Sequence, residues 1–352
     1  MPLLARMIVA PLVVDVRRGA LRDLAAVLAD QRISSGGRVA VALGVSSAAA
    51  VRDALGNQLS RADFFSVCGG TVNDALALAK QAQGGRYDAM VGVGGGKVLD
   101  AAKFAAARLG LPMVAVATNL AHDGIGSPVS ILDNDGGRGS YGVPAPIAVL
   151  VDLDLVLLAP ARALRAGVGE AVSNLSAIED WHLSHARLGE PVDGLAVMLA
   201  RSAGQAVLQH PSGIETDEFL TTLAESLIMS GVAMMVAGSS RPCSGACHEI
   251  SHAIDLLYPG RRSYHGEQVG LGAAFATWLR RDERGLEQIV GALRRHGLPV
   301  VPLDLDLEEH EFARAVVHAP ETRPGRHTIL EELSLSPDDV HVAVKDYVRA
   351  VS

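Results

Sequence analysis

Three histidines, a scarce residue in this chain, lie close together at positions 248, 252 and 265. His248 and His252 are one helical turn apart and face the same way on a predicted helix, and His265 follows the break YPGRRSY at the start of the next helix. A carboxylate is needed to complete a metal site, and AGVGEAVSNLSAIEDW offers Glu170 after a Gly-Val-Gly turn. Two imidazoles and one carboxylate leave a coordination position open for a substrate oxygen, which is typical of a catalytic site.

The same stretch reads His-Glu-Ile-Ser-His and fits the H-E-x-x-H pattern of zinc peptidases. In that alternative, His248 and His252 are both ligands and Glu249 is the general base, with Glu267 as a possible third ligand. The extended form of the peptidase motif fails, because Asp255 occupies the position of its glycine. The peptidase interpretation also leaves the first 150 residues unexplained, so it ranks low.

A glycine-rich turn is the second candidate site. VGVGGGKVLDAAKFAAARLG predicts a buried strand, a glycine turn and a helix; the glycines are Gly94, Gly95 and Gly96. Glycines let the backbone pass close to a diphosphate, and the first N–H groups of the helix point at it. The turn is neither G-x-G-x-x-G nor a Walker A loop. The alternative is a turn without a ligand, with ordinary surface and capping charges at Lys97, Asp100 and Lys103.

Alternating strand and helix signals fill the first half of the chain and predict βαβ units with a parallel sheet. Strands are expected near 6–14, 38–43, 62–67, 87–94 and 113–118, and helices near 18–31, 46–56, 72–83 and 97–109. Residues 128–151 suggest an excursion with a turn and a return strand. After about residue 158 only helices are predicted, near 161–185, 193–208, 218–238, 243–257, 266–281 and 285–296. We therefore expect an α/β domain over 1–158 and an all-α domain over 159–352.

The overall composition limits the kinds of partner that we expect for the protein. A net charge of −8 argues against nucleic acid or an anionic membrane as the main partner. Three cysteines form no disulfide framework, which favours a reduced, cytoplasmic protein. The apolar start MPLLARMIVAPLVVD is too short and too interrupted for a spanning helix and lacks a clear secretory signal. We expect a cytoplasmic homo-oligomer that acts on a small molecule.

Several sequence blocks together resemble one known family. In chain order they are GVGGGKVLDAAKFAA, AHDGIGSPVSI, VDLDL, SSRPCSGACHEISHAID, YHGEQVGLG and TRPGRHTIL. They are similar to the sn-glycerol-1-phosphate dehydrogenases, within the larger group of glycerol dehydrogenases, iron-type alcohol dehydrogenases and dehydroquinate synthases. The resemblance covers about residues 38 to 332. It implies a Rossmann-like dinucleotide-binding domain, a helical metal-binding and substrate domain, NAD or NADP as cofactor, and a divalent metal, usually zinc, with iron or nickel as alternatives.

The resemblance also assigns roles to single residues. It implies a metal site formed by Glu170, His248 and His265. It makes His252 a substrate or proton-relay residue, so the H-E-x-x-H match becomes coincidental. The cofactor diphosphate turn is expected at Gly94, Gly95, Gly96, Lys97 and Asp100. The loop that contacts nicotinamide, ribose and substrate is expected at Thr118, Asp123 and Ser127, with Asp123 as a catalytic candidate beside His252.

The implied reaction is hydride transfer that interconverts sn-glycerol 1-phosphate and dihydroxyacetone phosphate, in phospholipid metabolism. Departures from the family pattern keep a second oxidoreductase open, a metal-dependent reductase of another polyol or sugar ketone. The departures are Glu170 in place of the usual Asp, and Ala117, Ala121 and Cys247. Gly44 stands where an acidic residue would select NAD, so the sequence does not choose between NAD and NADP. Candidate ligands for a substrate phosphate are Arg262, Arg323 and Arg326.

Overall fold

The computed structural model describes residues 10–45, 48–55, 59, 61–134, 137–259 and 263–352. The chain divides into two units, Met1–Pro160 and Ala161–Ser352. The first contains a parallel sheet with helices and the second is helical, which confirms the predicted fold class.

The sheet of the first unit consists of parallel strands, of which the inner ones are buried on both faces. They are β1 (Val13–Arg17), β2 (Arg38–Gly44), β3 (Ala62–Val67), β4 (Tyr87–Gly94), β5 (Met113–Ala117) and β8 (Ala148–Asp152). Within the described residues, six strands form this sheet in the order β1-β8-β5-β4-β2-β3. The inner strands are nearly continuous runs of Val, Ala, Leu and Gly, as expected for strands covered on both sides.

Helices and one hairpin connect these strands. The helices are α1 (Leu24–Leu28), α2 (Ala48–Leu55), α3 (Val72–Ala82), α4 (Gly96–Leu109) and α5 (Leu153–Val156). Short 3-10 turns span Ala20–Asp23 and Asp123–Ile125. The antiparallel strands β6 (Val129–Asn134) and β7 (Gly137–Gly142) precede β8, so the predicted excursion and return strand are confirmed.

The first strand lies later than the sequence predicted. It was expected near 6–14 and is observed at Val13–Arg17, while residues 1–9 lie outside the described part of the chain. Its register comes from β8, since Val13 pairs with Ala148 and Arg17 with Asp152. Asp152 also accepts hydrogen bonds from the N–H groups of Gly19 and Leu21 (3.0 and 2.9 Å). These distant contacts replace the start of the helix predicted near 18–31 with a 3-10 turn.

The second unit is built from helices around the long α6. The helices are α6 (Ala161–Leu188), α7 (Gly194–Gln209), α8 (Asp217–Ala237), α9 (Ala246–Leu257), α10 (His265–Leu279), α11 (Glu283–Arg295), α12 (Glu309–His318), α13 (Ile329–Leu333) and α14 (Pro337–Val351). The predicted helices are confirmed with shifted ends, and the last three were not predicted. Among the described residues, one helix, α8, is long and apolar enough to span a membrane, but 61 % of that apolar window is buried in the unit, as in a core helix of a soluble protein.

Candidate metal centre and cofactor turn

Two glycines bring the helices α6 and α10 into backbone contact. A Cβ atom placed on Gly169 would lie 2.1 Å from the carbonyl oxygen of Gly266, and one placed on Gly266 would lie 1.9 Å from that of Ala166. Glycine is therefore required at both positions for this close approach. Glu170 and His265 are the chain neighbours of these glycines, so the helix crossing carries both side chains to one place.

The predicted metal ligands converge at this crossing. Glu170, His248 and His265 each offer one ligand atom, and these atoms all lie within 4.8 Å of one another. Oε2 of Glu170 and Nε2 of His265 are 3.7 Å apart. Glu170 is only 4 % exposed. A buried carboxylate between two imidazoles is a donor set suited to zinc or iron, so the residues fit the implied cation.

His248 reaches the cluster because α9 is anchored at its first turn. Asp180, fully buried on α6, accepts a hydrogen bond from the N–H of Ala246 (2.8 Å) and another from the N–H of Ile329 (2.9 Å). Arg280 forms an ion pair with Asp180 and balances its charge. One carboxylate thus fixes the start of α9 relative to α6 and α13.

The His248 ring is held neutral. Burial lowers its pKa well below the ordinary value, and the neighbouring His265 and His252 lower it further. A neutral imidazole keeps an electron pair for a metal. The thiol of Cys247 lies 3.3 Å from His248 Nδ1, and burial raises its pKa to about 12, so it stays protonated at neutral pH.

His252 lies beside this cluster and outside the set of converging ligand atoms. Its ring centroid is 6.5 Å from that of His248 and 6.3 Å from that of His265. Arg323 Nε donates a hydrogen bond to His252 Nδ1 at 3.4 Å. Because a guanidinium only donates, Nδ1 is the acceptor and a neutral His252 carries its proton on Nε2. A neutral His252 can therefore donate a hydrogen bond from Nε2 beside the converging ligand residues.

The residues that a peptidase would need are engaged elsewhere. Glu249 is fully buried and its carboxyl accepts a hydrogen bond from Thr328 Oγ1 (3.1 Å). Burial raises the pKa of Glu249 to about 8, with Glu331 and Asp180 adding to the rise. Glu267 forms a two-point ion pair with Arg162 (2.5 and 2.8 Å). Neither carboxyl is placed as a zinc peptidase requires. This favours the interpretation that the match to H-E-x-x-H is a coincidence.

In the first unit, the predicted glycine turn joins β4 to α4. A Cβ atom on Gly94, Gly95 or Gly96 would lie 2.7, 2.4 or 1.9 Å from Val98, Asn119 or His122, respectively. The close packing of Val98, Asn119 and His122 therefore accounts for the small residue at all three positions. Thr118 follows β5 and its N–H donates to the carbonyl of Gly94 (3.1 Å), so the two predicted cofactor segments are adjacent.

Asp100 and Lys103 are buried, which corrects the alternative that they are ordinary surface charges. Lys103, 1 % exposed, forms an ion pair with Asp100 (2.9 Å) and donates to the carbonyls of Gly124 (2.9 Å) and Val129. The pair holds the segment that contains Asp123 and the buried Ser127. Burial raises the pKa of Asp123 to about 7, against an opposing effect of Lys103 and with a further rise from Asp100. Asp123 can therefore exchange a proton near neutral pH.

Sequence reasoning missed His122. Its Nδ1 accepts a hydrogen bond from the N–H of Gly124 (2.9 Å), so the neutral ring carries its proton on Nε2, which faces Gly96 at the cofactor turn. The histidine stands in the block AHDGIGSPVSI, but only the fold shows that its ring crosses the glycine turn. Lys97 is exposed and its side chain lies over Gly70. Arg262 lies outside the described residues.

Known proteins resemble the chain along most of its length. Residues 15–160 match the family model described as iron-containing alcohol dehydrogenase. The chain is 38 % identical over 275 residues to a glycerol-1-phosphate dehydrogenase [NAD(P)+] of Hyperthermus butylicus, covering 78 % of both chains. It is 37 % identical over 264 residues to the Archaeoglobus fulgidus protein of the same name, covering 74 % of this chain and 75 % of that one.

Solved structures agree with the fold. A probable glycerol dehydrogenase from Sinorhizobium meliloti superposes with a TM-score of 0.78 at 25 % identity over 99 % of both chains. A glycerol dehydrogenase from Schizosaccharomyces pombe gives a TM-score of 0.80 at 20 % identity over 99 % of this chain and 91 % of that one. These likenesses confirm the predicted architecture, and the first also agrees with an alcohol-oxidising chemistry.

Proposed function

The chain belongs to the glycerol-1-phosphate dehydrogenase family, and we propose that it interconverts sn-glycerol 1-phosphate and dihydroxyacetone phosphate with NAD or NADP. It is an NAD(P)-dependent oxidoreductase of the iron-containing alcohol dehydrogenase type. The observation that carries the proposal is the convergence of Glu170, His248 and His265 within 4.8 Å. The cytoplasmic location, the homo-oligomer and the absence of nucleic-acid and membrane partners stay predictions.

The proposed metal site consists of Glu170, His248 and His265, with zinc as the expected ion and iron or nickel as alternatives. A divalent cation bound there supplies a Lewis acid that polarises the substrate carbonyl or alcohol oxygen, and the nicotinamide supplies or accepts the hydride. The surrounding residues of the unit exclude water from Glu170 and His248, which strengthens electrostatic interactions at the site. The metal identity follows from elemental analysis of the purified protein.

Proton transfer is assigned to His252. The hydrogen bond from Arg323 to Nδ1 leaves Nε2–H as the donor; this proton can pass to the oxygen that becomes the alcohol as Nδ1 takes up a proton from solvent, so the ring stays neutral. Asp123 is a second candidate from the sequence, and burial raises its pKa to about 7. The pH dependence of kcat/KM in variants of His252 and of Asp123 separates the two candidates. Only the substitution that removes the proton-transferring group should abolish the ionisation seen in the wild-type profile.

Arg323 is the proposed partner of the substrate phosphate. Burial lowers the pKa of Arg323, and the described residues place no carboxylate within 4 Å of its nitrogens. Arg326 is half-buried and donates to the carbonyl of Ser244 and to Ser240 Oγ (3.0 Å), so it holds the loop. A charge-assisted hydrogen bond contributes about 1.5–3 kcal/mol. Arg323→Gln should therefore lower kcat/KM for the phosphorylated substrate by roughly ten- to hundredfold, with a smaller effect on glycerol.

The proposal is tested by steady-state assays over a small panel. The panel contains both enantiomers of glycerol phosphate, dihydroxyacetone phosphate, glycerol and dihydroxyacetone, each with NAD and NADP. We expect turnover of sn-glycerol 1-phosphate and dihydroxyacetone phosphate to exceed that of the unphosphorylated pair. A preference for unphosphorylated ketones, or for another sugar ketone, would instead support the second oxidoreductase that the departures at Glu170 and Cys247 leave open.

A further inference from the structure

The geometry points to Ser251 and Gln268 as positioning residues that fix the His265 ring with its Nε2 electron pair facing Glu170. This inference rests on the proposed metal site. It concerns residues of α9 and α10 that are not among the converging ligand residues. Both residues are fully enclosed, with Gln268 only 1 % exposed and Ser251 not exposed at all. Their hydrogen bonds must therefore be satisfied within the protein.

The orientation of the Gln268 amide is fixed by Asp255. Gln268 Nε2 lies 3.0 Å from Asp255 Oδ1 and 2.9 Å from Ser263 Oγ. A carboxylate oxygen accepts hydrogen bonds, so the NH₂ group must face Asp255. The reverse orientation would place two oxygen atoms in contact in a buried site. Gln268 Oε1 therefore points in the other direction, toward Ser251.

The direction of the Ser251 hydroxyl follows from that orientation. Ser251 Oγ lies 2.5 Å from Gln268 Oε1 and 2.9 Å from His265 Nδ1. Oε1 has no proton to give, so the single hydroxyl proton of Ser251 goes to Gln268. The hydroxyl oxygen is then an acceptor, and His265 Nδ1 must carry the proton that it accepts.

These hydrogen bonds determine which ring nitrogen of His265 is available to a metal. With a proton on Nδ1, the neutral ring presents the Nε2 electron pair on its opposite side, 3.7 Å from Glu170 Oε2. That is the form of the ring that a cation needs. Groups that orient a metal-binding histidine in this way typically contribute ten- to hundredfold in metal affinity. His248 differs, because its Nδ1 faces the weakly hydrogen-bonding thiol of Cys247.

Metal affinity tests the inference directly. We would titrate zinc against a chromophoric chelator in the full-length protein, its Ser251→Ala and Gln268→Met variants, and a matched control, Thr277→Val. Thr277 also lies on α10, is buried, and donates its hydroxyl to the carbonyl of Ala273 (2.7 Å). We expect zinc affinity to fall about ten- to hundredfold in Ser251→Ala and Gln268→Met and to change less than twofold in Thr277→Val.

The histidine tautomer provides a second readout, which a purely structural role would not change. In metal-free protein labelled with 15N-histidine, two-bond proton–nitrogen spectra should show His265 with its proton on Nδ1. Ser251→Ala should move the proton toward Nε2, and Thr277→Val should leave it in place. If Ser251→Ala does not fold, the wild-type spectrum and Gln268→Met still decide the question.

A failure of the positioning role can be distinguished from a failure of the proposed function. The positioning role would be overturned if His265 of the wild type is protonated on Nε2 only, or if Ser251→Ala and Gln268→Met both keep wild-type zinc affinity. His265→Ala with unchanged zinc affinity would instead show that the proposed metal site is wrong. Absence of turnover with glycerol phosphate would leave both the zinc titration and the tautomer measurement valid.

Discussion

The backbone contact between α6 and α10 makes a quantitative prediction for Gly266→Ala. The added Cβ would lie 1.9 Å from the carbonyl oxygen of Ala166, whereas real Cβ atoms keep at least 3.0 Å from such atoms. The obstacle is backbone on a packed helix, so no flexible side chain can move aside. The two helices must separate by roughly 1.1 Å at this point, because packed interiors leave no free space.

This displacement is large compared with what a metal site tolerates. Metal–ligand distances are held within about 0.2 Å, and the substituted position is the chain neighbour of His265, while Glu170 lies on the opposing helix. We therefore expect zinc affinity to fall by at least about a hundredfold. Overpacking of this kind also lowers the free energy of unfolding by about 1–3 kcal/mol. For a unit of this size, that equals a decrease in Tm of roughly 2–12 °C.

The assays are zinc titration by chelator competition and thermal unfolding followed by circular dichroism, with and without zinc. Gly291→Ala is the matched control, since Gly291 is exposed inside α11 and a Cβ there meets no described atom within 4 Å. That substitution should raise stability by about 0.5–1 kcal/mol and leave zinc affinity unchanged. Gly266→Ala with zinc affinity within threefold of wild type would refute the idea that this backbone contact holds the ligands together.

Three further predictions follow from individual contacts. Glu170→Ala and His265→Ala should lose the metal while the helical circular dichroism signal persists, and Glu249→Gln should keep the metal. Elemental analysis checks all three variants. Metal retained in Glu170→Ala would contradict the assignment of Glu170 as a ligand. Gly96→Ala should weaken NADH binding, measured by nicotinamide fluorescence, because its Cβ would lie 1.9 Å from His122; unchanged binding would exclude this turn as the cofactor site. Burial lowers the pKa of His296 to about 4, so its contribution to stability is present above pH 6.5 and is lost as the pH falls through 4. The free energy of unfolding should drop by ~1–3 kcal/mol between these two pH values. In denaturant titrations, His296→Gln should show a smaller drop than the wild type.

The sequence predicts well what depends on local patterns. The parallel strands of the first unit and the helices around Glu170 and His248 follow from periodicity, because hydrophobic spacing and glycine turns are local signals. The clustered histidines and Glu170 were candidates from the residues alone, the family resemblance selected Glu170, His248 and His265 as ligands, and the structure brings their ligand atoms together. Their roles in catalysis stay predictions until the metal content is measured.

What the sequence could not show depends on contacts between distant segments. Asp180 is one of three acidic residues in α6, and its role becomes visible only when Ala246 and Ile329 are placed against it. Ser251 and Gln268 stand inside recognised blocks, but their roles depend on hydrogen bonds across two helices. A surface position was the alternative for Lys103, because lysine usually lies there, and its ion pair with Asp100 becomes visible only after folding.

The pairing of β1 with β8 has a consequence for the synthesis of the protein. Val13 leaves the ribosome long before Ala148, its partner in the sheet, has been made. At ordinary elongation rates the delay is on the order of ten seconds. The apolar strand β5, once it has emerged in the last part of this delay, also lacks a neighbour on one side until β8 follows. An unpaired strand edge is a template for association with other chains. The nascent protein is therefore most prone to aggregation until residues 148–152 have emerged.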